Sequence, residues 1–173
     1  MDVRDICKMR GFVEECTPPP NNKNVECIFK NSVGEKIIVF IFGERSVGIS
    51  TIRDVYATIG TKYMQTIIVC NSISSIAHKH ALNQTVHCCF IKPHELLVPY
   101  MQHPLCPKHR LCTPGEEQNL VETFKTDPDT LRGMLPKILV DDVMVRIHGF
   151  SIGDIVAIDR YRTNTYFRCV VAV

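Results

Sequence analysis

The heptapeptide KIIVFIF at residues 36–42 constrains this chain more than any other stretch, because it is apolar on both faces. A strand with one face in water alternates apolar and polar residues, whereas one that is apolar throughout must be covered on both sides. It therefore belongs in the middle of a sheet. QTIIVC (65–70) reads as another buried strand, VHCCFI (86–91) as a further one, and VECIFK (25–30) as the hairpin partner of the first, across an NSVGE turn rich in Asn, Ser and Gly.

Helical patterns lie between these strands. Ser50 is placed to cap a helix in which Ile52, Val55, Tyr56 and Ile59 recur at helical spacing until Gly60 stops it. Ser72, Ser74 or Ser75 opens a second, polar helix through Ala77, Ala81 and Leu82. Ahead of the strands, residues 2–13 form a short amphipathic helix through Ile6, Met9 and Val13, and TPPPNN at 17–22 breaks it. The order implies an α/β unit, with right-handed crossovers covering a mixed sheet.

From about Leu97 the pattern changes. The apolar runs ELLVPYM (95–101), DIVAID (154–159) and TYFRCVVAV (165–173) flank a single helix, giving a small α+β unit. Thr113-Pro114-Gly115-Glu116 is a capping box with proline at the first helical position. Leu120, Val121 and Phe124 supply the buried stripe, and Asp127-Pro128 ends the helix. Two domains are expected, residues 1–96 and 97–173.

Composition closes off several classes of function. Of the 173 residues, 45% are hydrophobic and 22% charged, so the chain is globular. A net charge of +2 without a basic run argues against a protein whose sole business is wrapping nucleic acid. No apolar run approaches the roughly 20 residues of a membrane span, and MDVRDICKMRG lacks the apolar core of a secretory signal. With nine cysteines in no framework spacing, the expectation is an intracellular, soluble protein with reduced, mostly buried thiols.

The stretch HPLCPKHRLC invites a metal reading through His103, Cys106, His109 and Cys112. A structural zinc site draws its ligands from separate segments that converge on a point. Here Pro104 and Pro107 favour an extended backbone of about three residues per turn, which would line the donors along one edge. We expect a stiff connector with Leu105 and Leu111 buried, neither a zinc site nor a Cys106–His109 nucleophile pair. Cys88 and Cys89, adjacent in a strand, point to opposite faces. His78 and His80 belong to a solvated helix face. A metal-dependent nuclease needs converging carboxylates, yet KIIVFIF and TIIVC contain none, and Glu26 with Lys30 has no acidic partner on the neighbouring strand. VGIST lacks the lysine and spacing of a phosphate-binding loop. No cofactor is expected.

HPLCPKHRL (103–111) resembles the HELVPKH signature of a known family, the fifth shared subunit of eukaryotic nuclear RNA polymerases, whose small domain corresponds to the H-type subunit of archaeal polymerases. The resemblance continues through LPKI (135–138), Asp142, Arg146, Gly149, Gly153-Asp154-Ile155-Val156, Arg160 and YFRCVV (166–171). Upstream, residues 39–59 and 65–82 are similar to the family's jaw domain. Pro104 and Cys106 replace the signature's glutamate and valine, so the cysteines stand at non-ligand positions. Val143 replaces a proline, the loop RYRTNT (160–165) is short, and the amino-terminal helical hairpin is abbreviated, as in a compact version from a divergent eukaryote or a large DNA virus.

The resemblance implies a non-catalytic structural subunit of a multisubunit DNA-directed RNA polymerase. Residues 1–96 would be a jaw domain with an inactive restriction-endonuclease-like fold, and residues 97–173 an assembly domain of the archaeal H type. The assembly domain would dock on the largest subunit, among the other polymerase subunits, through His103, Pro107, His109, Asp142, Arg146, Arg160, Tyr166 and Arg168. The jaw would face downstream duplex DNA, in the nucleus, or in a cytoplasmic viral factory or virion if virus-encoded; no membrane is involved. The strand-to-helix turn at 71–79 agrees with that role, with Ser72, Ser74 and Ser75 at a helix start and Lys79 one turn in as the DNA-proximal residues; the family's Thr-Pro-Ser-Ala motif falls here as Ser75-Ile76-Ala77-His78 and keeps only its first hydroxyl position. A helix start of this kind can hold a backbone phosphate; its serines can equally serve only as caps. The alternative is a free-standing, nuclease-like DNA-processing enzyme with an accessory domain, which the missing carboxylates disfavour.

Overall fold

Ile37–Phe40 and Gln65–Cys70 are buried as continuous runs, as strands covered on both faces must be. The computed structural model describes residues 2–15, 25–60, 62–84, 86–160 and 165–172, and the chain divides into two units, residues 1–98 and 99–173. The TPPPNN segment and most of the RYRTNT loop lie outside the described residues.

In the first unit, α1 (Val3–Met9) leads into β1 (Val13–Glu15), β2 (Val25–Lys30) and β3 (Lys36–Val47). Then α2 (Ile49–Ile59) crosses to β4 (Gln65–Ile73), and α3 (Ser75–Leu82) crosses to β5 (His87–Ile91), before α4 (Pro93–Leu97). The five strands stand in sequence order. β1, β2 and β3 run antiparallel to their neighbours, while β3, β4 and β5 are parallel. The β2–β3 turn closes because Asn31 Oδ1 accepts from the Val33 and Glu35 amides at 3.0 and 2.9 Å.

Both crossover helices pack on one face of this sheet. Ile52, Val55 and Ile59 of α2 and Ala77 and Ala81 of α3 share a core with Ile38, Phe40, Ile68, Cys70, Cys88 and Phe90. Alternation sends Ile37, Val39, Ile67, Val69 and Cys89 to the opposite face. There Arg10, at the end of α1, donates to Gln65 Oε1 at 2.5 Å and to Cys89 Sγ at 3.7 Å. The mixed α/β architecture is as read from the sequence.

Several local expectations are corrected. The first helix stops at Met9 because Gly11 turns the chain at φ 84° and Val13, an exposed residue, already belongs to β1. Gly48 rather than Ser50 is the N-cap of α2, since β3 runs on to Val47 and the helix begins at Ile49, so the cap residue has no side chain to offer. That extension crosses bulges around Gly43 and brings Glu44 into the strand; the side chains of Glu44 and Glu26 lie outside the described residues. His78 and His80 are half-buried, against the edge of Phe90 and tilted on Tyr56 respectively. The exposed face of α3 is formed instead by Ser75, Ile76 and Lys79.

The second unit follows a 3-10 turn at Tyr100–Gln102. Its elements are β6 (Lys108–Leu111), α5 (Pro114–Phe124), α6 (Pro128–Met134), β7 (Lys137–Leu139), α7 (Val143–His148), β8 (Ile155–Asp159) and β9 (Thr165–Val171). The sheet order is β6-β8-β9-β7, antiparallel except between β9 and β7. Leu131, Leu135, Ile155 and Cys169 form a core with Leu120, Val121 and Phe167 packed against it.

The capping box forms as read, with Thr113 Oγ1 accepting from the Glu116 amide at 3.3 Å and Glu116 accepting from the Thr113 amide at 2.9 Å. Asp127-Pro128 follows α5 but also starts α6, because Asp127 Oδ1 caps the Asp129 and Thr130 amides and proline suits a first helical position. The single expected helix is thus one of three among the described residues of this unit. The expected stripe of α5 is not buried: Leu120 and Val121 are half-buried, packed against the core from one side, and Phe124, the last residue of the helix, is 48% exposed. Leu111 and Leu105 are 51% and 87% exposed, not buried: Leu111 ends an edge strand, and Leu105 sits at the tip of a turn. The HPLCPKHRLC segment is therefore more than a connector. Among the described residues, no helix is long and apolar enough to cross a membrane.

Candidate functional site

The strand-to-helix turn of the first unit is built by pairing at the end of β4, where Ser72 stands opposite Ser46 and Ile73 opposite Val47. The Ser74 amide then donates to Val47 O at 3.1 Å. Ser74 Oγ accepts from the Ala77 amide at 3.3 Å, so Ser74 is the cap of the three serines. Ser72, Ser75 and Lys79 stay exposed. Because β3, β4 and β5 are parallel, their carboxyl ends share one edge of the sheet, which also carries exposed Arg45 and, directly after β5, Lys92. The Cys70 thiol is pushed up to about 11 by burial, with the Lys92 charge opposing the shift. Hydroxyls and ammonium groups on an exposed edge suit sequence-independent phosphate contact.

At the other end of these strands lies a polar cluster that periodicity did not reveal. Gln65 is buried; its Oε1 accepts from Arg10, so its Nε2 donates to His87 Nδ1 at 2.7 Å. That arrangement requires an imidazole with Nδ1 unprotonated. The nearby Cys7 thiol is pushed up to about 12 by burial, which makes it inert. The only sequence signal was a glutamine opening an apolar run.

In the second unit the residues singled out from the sequence occupy distinct positions. Asp142 Oδ1 caps α7 by accepting from the Met144 amide at 2.8 Å, and Arg146 Nε donates to Asp141 O at 2.9 Å. His103 Nδ1 accepts from the Leu105 amide at 3.2 Å, and His109 Nδ1 donates to Pro107 O at 2.8 Å. The register aligns His109 with Ile158 and Ile158 with Tyr166, and likewise Leu111, Val156 and Arg168. His109, Tyr166 and Arg168 therefore belong to one sheet face, with the Arg160 guanidinium 4.7 Å from the Tyr166 ring centre. Arg168 Nη1 donates to Lys137 O at 3.1 Å.

Two arginines escaped the sequence reading. Arg110 grips both carboxylate oxygens of Glu116 at 2.7 Å and reaches Asp159 with Nε at 3.1 Å. The Arg110 hydrogen bonds, helped by the Thr113 cap, hold the Glu116 carboxyl down to about 2. Asp159 is lowered by its bond from Thr165 and by Arg110. Arg132 ties α5 to α6 and to the loop before β8, through Glu117 at 2.7 Å, Pro128 O at 2.9 Å and Gly153 O at 3.1 Å.

The donors of HPLCPKHRLC do not converge. Both histidine Nδ1 atoms are engaged as described, Cys106 Sγ lies 3.7 Å from Met144 Sδ, and Cys112, whose thiol burial pushes up to about 11, turns to Thr113 O at 3.6 Å. Among the described residues, no group of three or more His, Cys, Asp or Glu side chains is placed to hold a metal ion.

Residues 98–170 match the family RNA polymerase Rpb5, C-terminal domain. The chain is 24% identical over 166 residues to DNA-directed RNA polymerase V subunit 5A of Arabidopsis thaliana, spanning 88% of this chain and 70% of that protein. It is 29% identical over 161 residues to DNA-directed RNA polymerases I, II, and III subunit rpabc1 of Dictyostelium discoideum, spanning 86% and 79%. Among solved structures, EndoMS in apo form is similar over 48% of this chain and 39% of its own, with 16% identity and a TM-score of 0.38. The ATP-dependent Type ISP restriction-modification enzyme LlaBIII bound to DNA is similar over 66% and 9%, with 17% identity and a TM-score of 0.40. Both structural similarities are too slight to bear on function.

Proposed function

We propose, from the RNA polymerase Rpb5 C-terminal domain carried by residues 98–170, that this chain is a non-catalytic structural subunit of a multisubunit DNA-directed RNA polymerase. The carrying observation is that two relatives named as polymerase subunits are similar to this chain over most of its length, first unit included. The second unit is then the assembly domain, docking on the largest subunit. Its sheet face with His109, Tyr166 and Arg168, together with α7, is the surface that resemblance points to. The first unit is a jaw domain of inactive restriction-endonuclease-like type, with the carboxyl edge of β3, β4 and β5 toward downstream duplex DNA. Ser72, Ser75 and Lys79 would position a phosphate there, and Ser74 would fix the helix start. A eukaryotic form of such a subunit works in the nucleus.

Purifying the tagged chain from its native source tests this reading. The catalytic polymerase subunits should accompany it in stoichiometric amounts. A chain that purifies alone and cleaves DNA with a divalent metal would instead be the free-standing nuclease.

A further inference from the structure

We propose that Arg10, Gln65 and His87 form an acid-sensitive latch, which fastens α1 to the sheet while His87 is neutral. Hydrogen-bond polarity dictates the state of each member. A guanidinium has donors and no acceptor, so the Gln65 atom that Arg10 Nη1 meets at 2.5 Å must be Oε1. The other end of the amide is then Nε2, a donor. Its partner at 2.7 Å, His87 Nδ1, must offer a lone pair, so the ring is neutral and carries its proton on Nε2.

Gln65 cannot adapt to a change at the ring. It is buried and aligned with Ile37 on one side and His87 on the other. A proton on Nδ1 would set donor against donor, and turning the amide over would present its donor end to Arg10 instead. The charged ring would also stand near a guanidinium of the same sign. His87 is half-buried rather than sealed, so protons reach it.

Around the ring, α1 supplies Arg10 and Cys7, whose thiol burial pushes up to about 12 and so keeps uncharged. β5 supplies Cys89, which accepts from Arg10 at 3.7 Å. At the head of β3, Lys36 is matched by Glu15 of β1 at 2.7 Å, and Asp2 and Asp5 belong to the opposite end of α1. The unfolded chain takes up the His87 proton near a pH of about 6.5, whereas the latched form refuses it. The contribution of the latch is therefore present above that pH and is lost as the pH falls below it.

Amide exchange in the full chain, corrected for its intrinsic pH dependence, tests the latch. Between a pH of about 7.5 and about 5.5 the Ile6 amide, bonded to Asp2 O inside α1, should exchange about tenfold faster. Ring-nitrogen spectra of the folded chain should show His87 neutral at the lower pH, where a free imidazole is about nine-tenths protonated. Arg10→Met leaves the amide free to turn and accept from a protonated ring, so it should abolish the acceleration. Gln65→Glu accepts from both neighbours and should reverse it, with α1 exchanging more slowly as the pH falls. A wild-type His87 that is protonated in the folded chain at the lower pH would overturn the proposal, as would an Arg10→Met chain that keeps the tenfold acceleration. If Gln65→Glu does not fold, the comparison of the wild type with Arg10→Met decides alone.

Discussion

Arg110 and Glu116 meet as two planar groups, each guanidinium Nη 2.7 Å from one carboxylate oxygen. The contact joins an edge strand to the first turn of α5, and it should make part of the second unit's stability depend on pH. Glu116 is held at about 2, below its ordinary value of 4.5. The folded value is the lower one, so the contribution is present above the ordinary carboxylate range and is lost as pH falls toward 2. Lysine cannot reproduce the fork, so Arg110→Lys should cost about 1 kcal/mol at neutral pH, the upper end for a partly exposed pair. Denaturant titrations should show that difference shrinking as the pH approaches about 2; a constant difference would refute the assignment.

The three serines of the 72–75 turn should separate by function. Ser74→Ala removes the cap on Ala77 and should cost about 1 kcal/mol of first-unit stability, whereas Ser75→Ala should be near neutral. In the complete polymerase, Ser75→Ala with Lys79→Ala should leave assembly intact and lower the salt dependence of downstream duplex retention by roughly one unit of log–log slope. Superimposable salt curves would mean that the turn serves the helix alone.

Leu131 is fully buried in the core beneath α5 and α6. Leu131→Ala should cost about 2–5 kcal/mol, read from the unfolding midpoint of the second unit. Since the proposed role is docking, co-purification should fail in parallel. Undiminished recovery of polymerase subunits with an unfolded second unit would contradict the assembly role.

Metal analysis after gel filtration should find no stoichiometric zinc. Among the described residues, no three His, Cys, Asp or Glu side chains stand close enough to hold a metal ion. One equivalent of zinc, lost on replacing Cys106 and Cys112, would overturn this account of HPLCPKHRLC.

What could be read from the sequence depended on how many residues carried each signal. KIIVFIF and QTIIVC announced buried strands because several consecutive residues agree, and Leu135, Ile138, Ile155, Val156 and Val170 are buried as their apolar runs suggest. Six residues are too few for helical periodicity, so α7 went unseen although Asp142 and Gly149 punctuate it. Asp127-Pro128 showed its stop signal and hid its start signal, since one dipeptide serves both. Leu105 and Leu111 were misjudged because hydrophobicity alone cannot distinguish a turn tip or an edge from a core. The Arg110 contacts join residues from three separate elements, and nothing local in the sequence encodes that meeting.

Gln65, buried at the head of β4 between Arg10 and His87, bears on how the central strands find their alignment. In most sheets a one-residue slip throws the core side into water, and the error corrects itself. β3 and β4 are apolar on both faces, so greasiness alone scarcely distinguishes correct pairing from its neighbour. A slip of β4 would swing Gln65 under the crossover helices and set Thr66 toward Arg10, breaking the Arg10–Gln65–His87 contacts and putting an amide among the apolar side chains of the other face. One polar side chain thus acts as an index mark on an otherwise featureless ruler, conveying alignment information that its hydrophobic neighbours do not contain.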